Sequence, residues 1–511
     1  MNKKIISILM IMMLILTGLL TGCQKGNSEP PAQETLRNAL LNEFSEISKI
    51  PRDTNSDMKS ITAFIIKKLK GMGLNPTTDK NGNIIVSKSA SKGYENSKTT
   101  ILHTNIDMLA EYNPSVLFNK EKDPITPLVN EDTERVIGNN TSLGASSGLG
   151  MAAAFYILEN STEHGSIRVI FTVDGEKDMS GAQKLSEKYL EGDYLIDLNN
   201  NQSGNIETES AYSTILNCSE KIQMNKTQNK YSFVLVADGF KGGDSGFGAQ
   251  NEQGNPIKFL AQVLAVANGD GLSYELNDFT GGDNPYDIPH TATATITVNE
   301  YEKSKINSVF NKVSKTYLKN YSKNEQEAQL KIIETTVPDK ALDKKSSGNL
   351  ISFLYGITDG KYNEKSYTTA SSNVGMINIG NKKTNIKIFA QGKYENTLDR
   401  IISEHSSLAK ISGITIDADH RIKGFSVDGT NELTQKISRI YADELDIQAN
   451  MSYRPTRSEL GFFQEKAHKL QMISLGPSIR QEDTIEEYVE LPTIDLPVTA
   501  VMKFLSDLNE E

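Results

Sequence analysis

Lys98-Thr99-Thr100-Ile101-Leu102-His103-Thr104-Asn105-Ile106-Asp107-Met108 is dense in β-branched and apolar residues from Thr100 onward, as a strand buried on both faces must be. A second such run, Ser166 to Val173, follows Leu143-Gly144-Ala145-Ser146-Ser147-Gly148 and the apolar segment Leu149 to Leu158, which read as a glycine turn opening a helix. Strand, helix and strand of this kind build an open α/β sheet, whose ligand site lies beyond the carboxyl ends of the strands. The loops after Ile106, before Leu149 and after Val173 should therefore converge.

Outward from this centre the pattern stays mixed. Glu34 to Ile50 and Asp57 to Met72 carry apolar residues at helical spacing, and Asn83 to Ser87 reads as a strand after the turn Lys80-Asn81-Gly82. From about Tyr231 the texture changes to strands at Ser232 to Ala237 and Ala292 to Val298, with helices at Ile257 to Ala267 and Glu302 to Tyr321. This predicts an inserted α+β domain. From about Phe425 the first pattern returns, ending in a helix near Thr499 to Leu508.

The amino terminus reads as an export signal. Lys3 and Lys4 precede the apolar run Ile5 to Leu20, and Leu20-Thr21-Gly22-Cys23 has the small-residue pattern of a lipoprotein cleavage box. The run is shorter than the roughly 20 residues of a membrane span and stops at Gly-Cys, so a lipidated Cys23 is expected rather than a transmembrane anchor. Two acyl chains anchor stably, which would place the protein on the outer face of the cell membrane, with Gln24 to Gln33 as a tether. Cys218 is the other cysteine, so no disulfide can form within a lipidated chain and four-cysteine zinc sites are excluded. A chain of 511 residues exceeds what one core serves, which predicts two domains. The net charge of -11, from 54 basic and 65 acidic residues without a long basic block, argues against a nucleic-acid partner.

Taken in order, Leu102 to Leu109, Ser142 to Ala152, Gly239-Phe240-Lys241-Gly242-Gly243-Asp244-Ser245-Gly246, Asp278 to Gly282, Ile288-Pro289 and Ser474-Leu475-Gly476-Pro477 resemble the aminoacyl-histidine dipeptidases. These are the Xaa-His branch of the dinuclear zinc peptidase and carboxypeptidase family. The resemblance covers nearly the whole chain and implies an α/β sandwich domain (residues 34–212 and 420–511) split by an inserted α+β lid (213–419), with a homodimer through the lid as a family expectation.

A two-zinc centre of this family needs a bridging carboxylate, further ligands on each metal and a glutamate as general base. By resemblance the first histidine ligand falls on Asn105, and the aspartate that orients it on Asp107. The bridging aspartate falls on Ser146, the general base on Gly175 and the adjacent ligand on Glu176. The next aspartate ligand falls on Asn199, the final histidine ligand on Asp483, and the lid histidine that steadies the oxyanion on Asp244. Only Glu176 is unchanged among the ligands, with Asp483 able to ligate differently. Neutral Asn and Ser oxygens replace poorly the imidazoles and carboxylates that hold two divalent cations together, so zinc is not expected to be retained. Without metals no water is acidified from a pKa near 15.7 to about 7, and glycine at 175 cannot take its proton.

Other readings stand beside this one. His103 shares a strand face with Asn105 but sits about 6.8 Å away, too far to replace it as ligand without a register shift, and reads as a structural histidine. Asp107, Asp174, Glu176, Asp178 and Asp483 could cluster into an oxygen-rich site for a hard cation such as calcium or magnesium, or be solvated loop acids. Arg454 and Arg457, near Glu459-Leu460-Gly461, are read as surface salt-bridge partners or as partners of a ligand carboxylate. Cys218 reads as a small buried residue. Three functions compete: a non-catalytic homologue binding a peptide, amino acid or protein partner in the old cleft, an active dipeptidase with a rebuilt metal site, and a structural lipoprotein with a vestigial cleft.

Overall fold

The computed structural model describes residues 35–509 apart from 114, 322, 365 and 366. The leader, Cys23 and the tether lie outside the described residues. Leu40–Glu511 forms one compact unit, in which two large sheets are prominent.

The first is eight-stranded, in the order Thr77–Thr78, Ile84–Lys88, Ile167–Thr172, Thr100–Asn105, Tyr194–Asp197, Gln471–Ser474, Asn205–Ser210, Asn450–Arg454. Its centre is parallel: Thr100–Asn105 runs alongside both Ile167–Thr172 and Tyr194–Asp197, and the latter alongside Gln471–Ser474. Every residue of Thr100–Asn105 is buried, as the apolar run requires. The strand stops at Asn105 rather than at Met108, because Asp107 turns to accept hydrogen bonds from the next loop. The helix Ala145–Asn160 packs on this sheet with apolar residues on all sides, including buried Leu149, Met151, Phe155 and Ile157. It begins four residues before the apolar run, so Ser146 lies inside its first turn.

The second sheet is nine-stranded and antiparallel, and takes its strands from Tyr212–Ser219 through Thr415–Ile422. The helices Pro256–Gly269, Lys303–Tyr321 and Lys344–Gly356 share its core, where Phe259, Phe310 and Phe353 are buried. Each such ring contributes about 1.5–3 kcal/mol on leaving water, and Phe259→Ala would cost about 3–5 kcal/mol. Asn255 fixes where its helix starts: the side chain accepts from the backbone of Ile257 and Lys258, and Pro256 supplies the first helical residue. Among the described residues no helix is long and apolar enough to cross a membrane.

Candidate functional site

Asp107 organises the carboxyl ends of the parallel strands. It is fully buried, its Oδ1 accepts from Gly175 N at 2.8 Å and its Oδ2 from Glu176 N at 3.1 Å. Its carbonyl accepts from Arg52 Nη1 at 3.2 Å and Ser147 Oγ at 2.7 Å. Asn105 Nδ2 also donates to Asp107 Oδ1 at 3.2 Å, while most of this carboxylate is spent on the backbone.

Asn105 fills the space beside Gly175 and Glu176. Its Nδ2 donates to Glu176 Oε1 at 2.9 Å. A Cβ on Gly175 would meet Asn105 Cβ at 2.6 Å and Nδ2 at 2.7 Å, so the general-base position has neither a side chain nor room for one. Burial pushes the Glu176 carboxyl up to about 8, reinforced by Asp107 and Glu482 and opposed by Asn105 and Arg457.

Ser146 and Asn199, the bridging and aspartate-ligand positions, face each other. Ser146 Oγ donates to Asn199 O at 3.0 Å, and Asn199 Oδ1 accepts from Thr104 Oγ1 at 2.8 Å. The turn before Ser146 needs glycine, for Gly144 has φ 59° and a Cβ there would come 2.5 Å from Met108 Sδ. Glu487 accepts from the backbone N–H of Leu143, Gly144 and Ala145 at 2.7, 3.1 and 2.9 Å, placing a carboxyl at the helix amino terminus. Burial nonetheless pushes it up to about 7, against the pull of those donors.

The opposite wall comes from the paired segments Gly243–Asp244 and Asp287–Ile288 and from the returning chain. Asp483 has φ 61°, and burial, with Glu176 and Glu482 nearby, holds its carboxyl well above the usual range. Asp287 is pushed up to about 8 by burial, then by Asp244 and Glu111. Asp244, at the lid-histidine position, caps the helix Ser245–Gln250 through Gly246 N and Phe247 N at 2.8 and 3.0 Å, and accepts from Thr456 Oγ1 at 3.0 Å. Arg454 and Arg457 are not surface salt-bridge partners. Arg454 pairs with buried Glu207 at 3.0 Å and donates to Asn199 O at 2.7 Å. Arg457, 7% exposed, donates to the carbonyls of Glu176 and Lys177 and lies 3.5 Å from the ring centroid of Tyr286.

His103 is a satisfied structural histidine. Nδ1 meets Asp197 at 2.8 Å, and Nε2 meets Thr172 Oγ1 at 3.0 Å and Glu459 at 3.4 Å. Burial would lower its pKa, but Glu459 and Asp197 outweigh that and raise it to about 9. Cys218 is buried, and burial pushes its thiol up.

Asn105, Ser146, Gly175, Glu176, Asn199, Asp244 and Asp483 all line one cleft of about 750 Å³, its open mouth included. Of the acids expected to gather around a hard cation, Asp107 serves backbone donors, Asp174 accepts from Ser180 N at 3.3 Å and Asp178 accepts from Tyr286 Oη at 3.0 Å. Among the described residues no three His, Cys, Asp or Glu side chains converge as a metal site. A neutral amide donating to Glu176, and a serine bonded to a carbonyl, do not fit a pair of divalent cations. Sequence reasoning missed Glu482, Tyr286 and Asp287 as cleft residues, and Glu487 as the carboxylate on the turn before Ser146; the phrase Ser474 to Pro477 pointed only to the neighbourhood of Glu482 and Glu487.

The pattern shared by Peptidase family M20/M25/M40 matches residues 105–507. The chain is 26% identical over 472 residues to the cytosol non-specific dipeptidase of Escherichia coli (strain K12), covering 91% of this chain and 96% of that one. The crystal structure of aminoacylhistidine dipeptidase from Vibrio alginolyticus superposes with a TM-score of 0.64 at 24% identity, covering 92% and 96% of the two chains. Human carnosine dipeptidase 1 shares the fold with a TM-score of 0.52 at 11% identity, covering 93% and 97%. These likenesses agree with the Xaa-His dipeptidase branch and with an α/β body carrying a lid. With a match spanning most of its length, the chain belongs to Peptidase family M20/M25/M40.

Proposed function

We propose that this chain is a catalytically silent member of its family, carried on the outer face of the cell membrane by a lipid on Cys23, and that it binds a peptide, amino acid or protein partner in the cleft. The observation that carries this reading is at position 175, where Asn105 occupies the space in which a general base would begin. The neutral groups at 105, 146 and 199 support it further, because each is bonded to the chain itself. Similarity to the Escherichia coli dipeptidase favours a peptide or amino acid over other ligands.

The test is hydrolysis of Xaa-His dipeptides by the full chain purified in detergent, with zinc, cobalt or manganese supplied. No turnover above the blank is expected. Metal-dependent cleavage abolished by a chelator would sink the proposal and establish a rebuilt site. A thermal-shift panel of dipeptides and amino acids tests the binding function, and loss of membrane association in Cys23→Ser tests the anchor.

A further inference from the structure

Outside the cleft, the helix Lys303–Tyr321 carries five lysines and no acidic residue, on a chain whose formal net charge is -11. Its buried side, with Ile306, Val309, Phe310, Val313 and Tyr317, belongs to the core of the second sheet. At about 100° per residue, Lys305, Lys312, Lys315 and Lys319 fall within about 80° of arc on the other side, and all four are exposed. They form one stripe about 21 Å long. Lys303 stands apart from it, paired with Glu334 at 2.9 Å and lying over the ring of Tyr231.

The stripe works against the helix that carries it. Lys312 and Lys315 are three residues apart and Lys315 and Lys319 four, the spacings at which like charges repel across a helix surface. Lys305 has Glu302 at 3.1 Å, whereas among the described residues Lys312, Lys315 and Lys319 have no ion pair. Lys319, in the last turn, is favoured by the helix dipole, which does not account for Lys312 and Lys315. Acidic residues are in excess over the chain as a whole, yet none is interleaved here. An anionic partner would offset the repulsion, and its charges must be spread along a line or a surface, because an exposed stripe encloses no single ion.

We infer that this stripe docks on the anionic phospholipid headgroups of a membrane. The inference rests on the reading of the chain as held at a membrane by Cys23, and adds the face that it turns to that surface. Charge complementarity selects the headgroups: the tether Gln24 to Gln33 spans at most about 35 Å, so an anchored body meets that surface continually. Each lysine near an anionic leaflet favours contact about fivefold, so four of them orient a body already anchored and hold a free one weakly.

Amine acetylation of the full chain, read lysine by lysine by mass spectrometry, tests it on excess vesicles of phosphatidylcholine alone and of phosphatidylcholine with about 30% phosphatidylglycerol. Lys305, Lys312, Lys315 and Lys319 should react at least about threefold more slowly on the anionic vesicles, and the difference should vanish in about 0.5 M sodium chloride. Lys59 and Lys423, exposed elsewhere on the chain, are internal controls and should not change. Lys312→Gln/Lys315→Gln/Lys319→Gln should melt no lower than the wild type, having lost like-charge neighbours, and Lys305 should lose its protection in it. Equal rates on the two kinds of vesicle, or Lys305 protected as in the wild type by the triple variant, would overturn the inference. Protection by soluble polyphosphate with neutral vesicles but none by phosphatidylglycerol would overturn it too, and assign the stripe to a soluble polyanion. Failure of the chain to float with neutral vesicles is a separate result against the anchor; the excess of anionic vesicles reads the stripe in either case.

Discussion

The Cβ of Asn105 stands 2.6 Å from the point at which any side chain on Gly175 would begin. The two positions are therefore coupled by volume. Gly175→Ala should destabilise by about 1–3 kcal/mol through overpacking, and Gly175→Glu by more, without creating hydrolysis. Adding Asn105→Gly to Gly175→Ala should recover part of the loss. Urea unfolding of the two singles and the double measures this, and strict additivity would show that the contact carries no energy.

Arg457 joins the loop after Val173 to an aromatic ring of the opposite wall. Truncating it leaves the carbonyls of Glu176 and Lys177 unpaired and uncovers Tyr286. Arg457→Ala should cost about 2–4 kcal/mol and speed amide exchange at residues 175–179. Arg457→Lys should restore little, since an ammonium lacks the planar fork that reaches both carbonyls. An Arg457→Lys protein as stable as the wild type would contradict this geometry.

Stability should fall as pH rises from about 5 to about 9. Glu176 and Asp287, raised to about 8, and Glu207 and Glu487, raised to about 7, hold protons in the folded chain that the unfolded chain has released. His103, raised to about 9, keeps its proton above the ordinary 6.5. The folded chain thus binds more protons throughout this window, and linkage makes stability fall with pH. A melting temperature higher by several degrees at about pH 5.5 than at about pH 8.5 is expected; a flat or opposite trend would refute the assignment.

Glu487→Gln offers a sharper version of the same test. In its ionised form the carboxylate serves three backbone donors, which one amide oxygen cannot do equally well. The substitution should cost about 1–2 kcal/mol near pH 8. Near pH 6, below its pKa of about 7, the wild-type carboxyl is already protonated and the cost should shrink. Equal costs at the two pH values would show that the charge on Glu487 is immaterial.

The sheet strands with unbroken apolar and β-branched runs were legible in the sequence: Thr100–Asn105, Ile167–Thr172 and Ala292–Val298 lie where those runs lie. Less legible was the start of the helix at Ala145, because Ala-Ser-Ser-Gly carries no helical periodicity and the start is set by Gly144 and Glu487. The hairpin Pro127–Asn130 and Arg135–Gly138 has only two consecutive apolar residues in each strand, too short a run to mark it. In the cleft, residues within the resembling phrases could be named in advance. Behind the cleft, Glu487 could not be, since it reaches the helix start from more than 300 residues away, by tertiary contact that no local pattern encodes.

Asp107 bears on how a carboxylate within a family phrase should be read. A carboxylate that closes the backbone donors of Gly175 and Glu176 is needed by the fold whether or not a peptide is ever cut. Its presence in a catalytic phrase is thus a record of architecture, and it would persist through any drift in chemistry that left the strand ends in place. Among the positions that resemble the family's ligands, Glu176 and Asp483 carry carboxyls, and the first of these faces an amide of its own chain.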